Sequence, residues 1–151
     1  MARGSDAGDS VIIYYTDGST APTNPGPGGY SVIKDMKPAI LGSEPGMTTN
    51  IRLEGLAIIA ALKDSKSLPC EIRTDSKFWI DAMTSWIHGW KKRKPAFANV
   101  KNQDIVTEMD YWLGISNAKL VHVRGHKGEP GNEMADQWAN KAREGIRMPL
   151  P

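Results

Sequence analysis

Residues 11–35 read VIIYYTDGSTAPTNPGPGGYSVIKD. An apolar, β-branched run gives way at Asp17 to glycines, prolines and small polar residues, and a second apolar run follows from Gly28. The first run reads as a strand over residues 10–16 that stops at the acid, and GGYSVIKD (28–35) reads as a second. Asp-Gly alone is an ordinary turn signal, because Asp bonds nearby backbone and Gly tolerates positive φ. PAILGSE (38–44) reads as a third strand after a tight turn at Lys37-Pro38. Short strands in succession with turn signals between them predict an antiparallel meander.

The period then changes. In TNIRLEGLAIIAALKDSKSL (49–68), Leu53, Leu56, Ala57, Ala60 and Ala61 recur at three- and four-residue steps. This is a helix, capped by Thr49 or Asn50 and ending before Pro69. CEIRTDS (70–76) is a fourth strand, followed by a helix from about Lys77 to Ile87 and an irregular basic stretch. Residues 102–114 form another helix closed by Gly114, and AKLVHVRG (118–125) alternates as a fifth strand. EPGN is a turn, and NEMADQWANKARE (132–144) is the last helix. The order β-β-β-α-β-α-α-β-α predicts an α/β fold: a five-stranded mixed sheet, three antiparallel strands then parallel ones, flanked by helices. One domain is expected over residues 10–145, between a disordered tail at 1–9 and a C-terminal tail at 146–151.

The chain has 151 residues, enough for one domain with a sizeable core. No apolar run reaches eighteen residues, so no transmembrane helix is expected, and MARGSDAGDS lacks the apolar region of a secretory signal. The single cysteine, Cys70, excludes an internal disulfide and fits a reducing, cytoplasmic setting. One Cys and three His make a structural zinc site a poor expectation, so any bound metal needs oxygen ligands. Net charge is +2, unevenly placed. KKRKPAFANVK (91–101) holds five basic residues and no acid, leaving 14 basic against 17 acidic elsewhere. Such a patch is either a footprint for a polyanion or a solvated lysine-rich loop.

Four acids fall where they could meet. Asp17 and Asp75 end strands one and four, and open sheets bind ligands at the carboxyl ends of their strands. Glu54 lies in the first turns of the first helix, and Asp136 near the start of the last. Taken singly, Glu54 also suits a capping box, Asp75 an N-cap, and Asp136 a helix N-terminal dipole. If the four converge, their repulsion calls for cations, and hard oxygen donors select Mg²⁺ or Mn²⁺. Two such ions are a known device for in-line displacement at phosphorus. Trp86 and Trp90 fall four apart, interleaved with Lys91, Lys92, Arg93 and Lys94, which suits a groove tracking a nucleic-acid backbone or, for the tryptophans, the core.

With these residues in hand, YTDGS, NPGPGGY, TTNIRLE, TDSKF, WIHGWKKR, VKN, VRGHKG and NEMADQWA occur in the order of type 1 ribonuclease H, which the chain resembles from about Val11 to Arg143. The resemblance implies the ribonuclease H fold and an endonuclease that cuts the RNA strand of RNA–DNA hybrids with two Mg²⁺ ions. The products would carry 5′-phosphate and 3′-hydroxyl ends. Carried over by motif, Asp17, Glu54, Asp75 and Asp136 would hold the ions, with Asp17 bridging, and His126 would be the family's mobile histidine. Asn24, Asn50 and Ser76 would read the RNA strand. Thr49 and Asn102 would hold a DNA phosphate, and Trp86, Trp90 and Lys91–Lys94 would form a basic handle on the DNA strand. STAPTNP is one residue longer than the common bacterial pattern, Ile51 stands for a second Asn, Lys77 for Gln, and the handle is a few residues shorter.

Other classes fit less well. A DNA-directed transferase or exonuclease shares acidic metal sites but not the handle or the TTN and NPGPGG motifs. A non-catalytic hybrid-binding module is marked by a lost acid, and none is lost. A ribonuclease H domain of a reverse transcriptase is the remaining alternative. A monomer with no obligatory protein partner is expected.

Overall fold

The computed structural model describes residues 10–124 and 128–150. The expected tail at 1–9 and His126 lie outside the described residues. The elements are β1 (Ile12–Thr20), β2 (Gly28–Lys34), β3 (Lys37–Gly42), α1 (Asn50–Ser65), β4 (Cys70–Thr74), α2 (Lys77–Asp81), a π turn (Ala82–Trp86), α3 (Ile87–Lys91), α4 (Gln103–Ile115), β5 (Ala118–His122) and α5 (Pro130–Arg143). One sheet has the order β3-β2-β1-β4-β5. The β1/β2 and β2/β3 pairs are antiparallel, and β1/β4 and β4/β5 are parallel. The mixed sheet and element order match the sequence expectation.

Alternation along β1 sends neighbouring side chains to opposite faces. Tyr14 enters the larger core with Ile58, Leu62, Ile72, Trp79, Ile105 and Met109, under α1, α2 and α4. Tyr15 enters a smaller core with Ile33 and Ala135, under α5. Trp79 is fully buried, and its indole N–H donates to the Ile51 carbonyl at 2.7 Å, fixing α2 against the start of α1.

Several boundaries differ from the sequence reading, each for a physical reason. Strand one does not stop at Asp17. It runs on to Thr20, and Asp17 and Gly18 pair with Ser31 and Tyr30 as extended backbone, so the Asp-Gly turn is not formed. The hairpin turn lies at Asp35-Met36, both left-handed (φ 49° and 66°), rather than at Lys37-Pro38. Two left-handed residues match the twist of a two-residue hairpin, and Pro38 sits in the edge strand, where a missing N–H is tolerated. The helix expected to end at Ile87 continues to Lys91 through the π turn. Gly114 does not close α4, which runs to Ile115, because this glycine does not take the left-handed conformation that makes Gly a stop. The last helix starts at Pro130 rather than 132, since Pro suits the first turn, whose N–H groups have no helical partner. Strands three, four and five are shorter than expected, ending at Gly42, Thr74 and His122. Thr49 is the cap of α1, its hydroxyl accepting from the Arg52 N–H at 3.1 Å.

The reason for glycine at position 18 is the crossing of α1 over β1. A Cβ there would lie 2.5 Å from Leu53 Cβ and 2.8 Å from the Glu54 nitrogen. Gly29 plays the same part for α5, with the Arg143 nitrogen 2.2 Å from where its Cβ would be. Gly18→Ala is therefore expected to destabilise the fold by about 1–3 kcal/mol through overpacking. Gly114→Ala, whose Cβ meets nothing within 4 Å, should be neutral or slightly stabilising. Urea unfolding of the two variants checks the contrast.

Candidate active site

The parallel pairing of β1 with β4 ends at Thr16 and Thr74. The next residues are Asp17 and Asp75, so the two acids stand side by side where the strands part. This is the crevice at which open sheets bind ligands. Glu54 arrives from the first turns of α1, brought close by the Gly18 contact. Carboxylate oxygens of Asp17, Glu54 and Asp75 all lie within 4.8 Å of one another. Asp136 comes from the second turn of α5. Ser31, opposite Asp17 in the sheet, anchors that turn by donating its hydroxyl to the Ala135 carbonyl at 2.6 Å.

The electrostatics are those of crowded, desolvated acids. Asp17 is only 5% exposed. Burial, then the charges of Asp75, Glu54 and Asp136, holds its carboxyl well above the usual range, while the Gly18 N–H at 2.9 Å pulls the other way. Burial and Asp75 push Glu54 up to about 7, against a hydrogen bond from Ser76. Asp75 is raised by burial and by Asp136, with His122 opposing. Asp75 Oδ1 and Thr16 Oγ1 are buried with no hydrogen-bond partner among the described residues. Carboxylates in mutual reach, one with an orphaned oxygen, are a donor set that fits a hard divalent cation.

The glycine-proline segment after β1 is laced to the start of α1. Gly26 and Thr48 exchange backbone hydrogen bonds at 2.9 and 2.8 Å. The Asn50 N–H donates to Asn24 Oδ1 at 3.1 Å, and the Thr20 N–H and hydroxyl donate to Asn50 Oδ1 at 2.9 and 3.0 Å. Both amide oxygens are thus engaged, which leaves the amide N–H groups to meet a ligand. Asn24, Pro25, Thr49, Ile51, Phe78, Lys101 and Asn102 line a cavity of about 290 Å³ beside this segment. Ser76 is buried instead: its hydroxyl caps α2 by accepting from the Trp79 N–H at 3.3 Å.

A row of aromatic rings leads away from the acids. Phe78 and Trp86 centroids are 5.5 Å apart, and Trp86 and Trp90 are 6.0 Å apart. Trp86 is 44% exposed, whereas Trp90 packs partly against the core. Lys92, Arg93 and Lys94 are exposed at the end of this row. Lys91 differs, because it pairs with Asp110 at 3.0 Å. Trp86, Trp90 and Lys91–Lys94 stand out in the sequence, whereas Phe78, Gly18 and Arg52 show their parts only in packing and hydrogen bonding.

A family model described as RNase H matches residues 9–144. The chain belongs to the RNase H family. A Ribonuclease H of Polynucleobacter asymbioticus is 43% identical over 140 residues, covering 88% of this chain and 90% of that one. A Ribonuclease H of Polaromonas sp. strain JS666 is 41% identical over 143 residues, covering 88% of each. The crystal structure of LC9-RNase H1, a type 1 RNase H with the type 2 active-site motif, superposes with a TM-score of 0.74 at 26% identity, over 91% of this chain and 74% of that one. LC11-RNase H1 in complex with RNA/DNA hybrid superposes with a TM-score of 0.63 at 26% identity, over 88% and 96%. The sequence resemblance and the RNase H fold expected from it are therefore established. No helix among the described residues is long and apolar enough to cross a membrane.

The raised acids make stability depend on pH in a definite direction. A carboxyl with a higher pKa folded than unfolded favours the folded state while protonated, and that contribution is lost as pH rises from the unfolded toward the folded value. For Glu54 the window runs from its ordinary 4.5 to about 7. Without divalent metal, unfolding free energy should fall across this window. Asp17→Asn, which removes one of the crowded charges, should stabilise the metal-free protein at pH 7 by an amount on the order of 1 kcal/mol. Denaturant titrations with chelator at pH 5 and pH 7 check both expectations.

Proposed function

We propose that the protein is an endonuclease that hydrolyses the RNA strand of RNA–DNA hybrids, leaving 5′-phosphate and 3′-hydroxyl ends. The observation that carries the reading is the trio Asp17, Glu54 and Asp75, crowded within 4.8 Å with one buried oxygen unpartnered. Asp17, Glu54, Asp75 and Asp136 would hold two Mg²⁺ ions, with Mn²⁺ able to substitute. Bound there, the metal supplies activation of water and neutralisation of charge at phosphorus. The protein's own contribution is to hold the acids together against their repulsion before substrate arrives.

The flanking residues sort the two strands. Asn24 and Asn50 present amide N–H donors to the RNA sugar edge, where a 2′-hydroxyl can accept. Ser76, at the start of α2 next to Asp75, is assigned to the same edge. Thr49 and Asn102 take a DNA phosphate in the cavity they line. Trp86 offers a stacking face, Trp90 supports it from below, and Lys92, Arg93 and Lys94, with Lys91 partly neutralised by Asp110, track the DNA backbone. His126 follows β5 in the chain and is assigned to proton transfer or product release, for which an imidazole titrating near neutrality is suited. None of the four acids is lost from the sequence, and three of them cluster, which supports an enzyme over a non-catalytic hybrid-binding module. A buried free Cys70 supports a reducing, cytoplasmic setting, and the protein is taken to act as a monomer.

End-labelled RNA–DNA, RNA–RNA and DNA–DNA duplexes of one sequence, each with Mg²⁺ or chelator, test the reading. Only the RNA strand of the hybrid should be cut, and only with metal. Hybrid bound but never cut with Mg²⁺ or Mn²⁺ would overturn it. Asp17→Asn should lower kcat by at least about a thousandfold while hybrid binding persists. Trp86→Ala combined with Lys92→Gln and Lys94→Gln should raise KM about tenfold at physiological salt, with a smaller change in kcat and a shallower salt dependence. Steady-state kinetics over a salt series reads all three quantities.

A further inference from the structure

Arg52 lies beside the cavity at Thr49 and Asn102, and a cationic side chain there invites assignment as a direct phosphate ligand. Its hydrogen bonds exclude that. Nε and Nη2 grip Glu44 at 2.9 and 2.8 Å. Nη2 and Nη1 grip Asp104 at 2.8 and 3.1 Å. Nη1 also donates to Asn102 Oδ1 at 3.2 Å. A guanidinium has five N–H donors, and these five bonds use all of them. Its charge is met by two carboxylates, and it holds both below their ordinary range.

What the fork does is orient its neighbours. Arginine can only donate, so the Asn102 amide atom that faces it must be the oxygen. The Asn102 NH₂ group is thereby turned away from Arg52 and has no partner among the described residues. The Arg52 backbone N–H does the same for Thr49: it occupies an acceptor position of the hydroxyl and leaves its proton free to donate. Asn102 also needs restraint, because its backbone is left-handed (φ 60°, ψ 36°) at the start of α4. Glu44 is in turn fixed by the Thr48 hydroxyl at 2.6 Å, so the fork ties the β3–α1 connection, α1 and α4 into one frame around the cavity.

We infer that Arg52 is a positioning residue for nucleic-acid binding: saturated by Glu44, Asp104 and Asn102, it presets the Asn102 amide so that only donors face a backbone phosphate. The inference rests on the hybrid-binding reading above. It requires arginine specifically, since lysine keeps the charge but cannot span three partners in one plane.

The test is a double-mutant cycle on hybrid affinity, measured by Kd for one RNA–DNA duplex with chelator at fixed salt, well below each variant's Tm. Arg52→Lys and Asn102→Ala should each weaken binding about three- to tenfold, and the double variant should be no weaker than Asn102→Ala alone. Asn102→Asp, which keeps a partner for Arg52 but loses the amide donors, should weaken binding at least as much while Tm is kept or raised. Fully additive losses from Arg52→Lys and Asn102→Ala would overturn the inference and leave Arg52 a structural residue. Unchanged Kd in Arg52→Lys with weakened Asn102→Ala would also overturn it, yet leave the hybrid reading intact. Unchanged Kd in Asn102→Ala would instead remove the phosphate role of the cavity. Should Arg52→Lys not fold, Arg52→Met with Glu44→Met carries the same cycle: the part-buried Glu44 is removed with its partner, and Asp104, the other partner, is exposed and left to solvent.

Discussion

A helix backbone lies where the side chain of residue 18 would be. That contact between Gly18 of β1 and Leu53–Glu54 of α1 sets the distance between the sheet and its main covering helix. Glu54 reaches Asp17 and Asp75 because nothing larger than hydrogen separates the two backbones at the crossing. A second glycine contact, Gly29 against the last turn of α5, sets the other layer, and Ser31 fastens that helix next to Asp136. The acids are thus delivered by packing of main chain, the stiffest part of the molecule, rather than by flexible side chains.

The delivery has a cost. Burial and mutual repulsion both disfavour the ionised acids, and the folded protein accepts a site that is electrostatically unfavourable when empty. Hydrophobic burial elsewhere offsets it, chiefly the large core around Trp79, Ile58 and Ile72. A divalent cation held as proposed would relieve that stress, which is the electrostatic form of preorganisation. The proposed nucleic-acid surface follows the same rule with opposite sign, since the oxygens of Asn24, Asn50 and Asn102 all accept hydrogen bonds within the protein and leave the amide donors to a ligand.

Much of this was legible in the sequence. The period change at Thr49, the strand patterns and the punctuation by Gly and Pro yield the element order, and the four acids stand out through their motifs. What the sequence concealed has a common cause. Asp17-Gly18 carries the local chemistry of a turn, and only the arrival of α1 makes it extended strand. Asp35-Met36 lacks the glycine that advertises a left-handed turn, so the local signal falls two residues late, at Lys37-Pro38. Gly114 carries the mark of a helix stop but does not take the conformation that would make it one. Arg52 carries no local signal of its part, because its partners lie 8, 50 and 52 residues away in the chain. Local signals fix local preferences, and each miss is a place where a distant contact decides between two locally acceptable states.

The π turn at Ala82–Trp86 carries a consequence for how this surface can vary. An α-helix advances about 100° per residue, and a π turn accommodates one extra residue without breaking the chain of hydrogen bonds. It therefore works as an angular offset between α2, which is pinned to the core by Trp79, and α3, which carries Trp90 and leads into the basic segment. The direction in which that arm points is a matter of residue count more than of residue type. Exchanges at exposed Thr84 or Ser85 leave the heading alone, whereas loss of a single residue would restore a regular helix and swing the arm by roughly a quarter turn about its axis. Variation in this family member's reach is accordingly open to insertion and deletion beyond Lys91, where the chain is no longer helical, and closed to them within the turn.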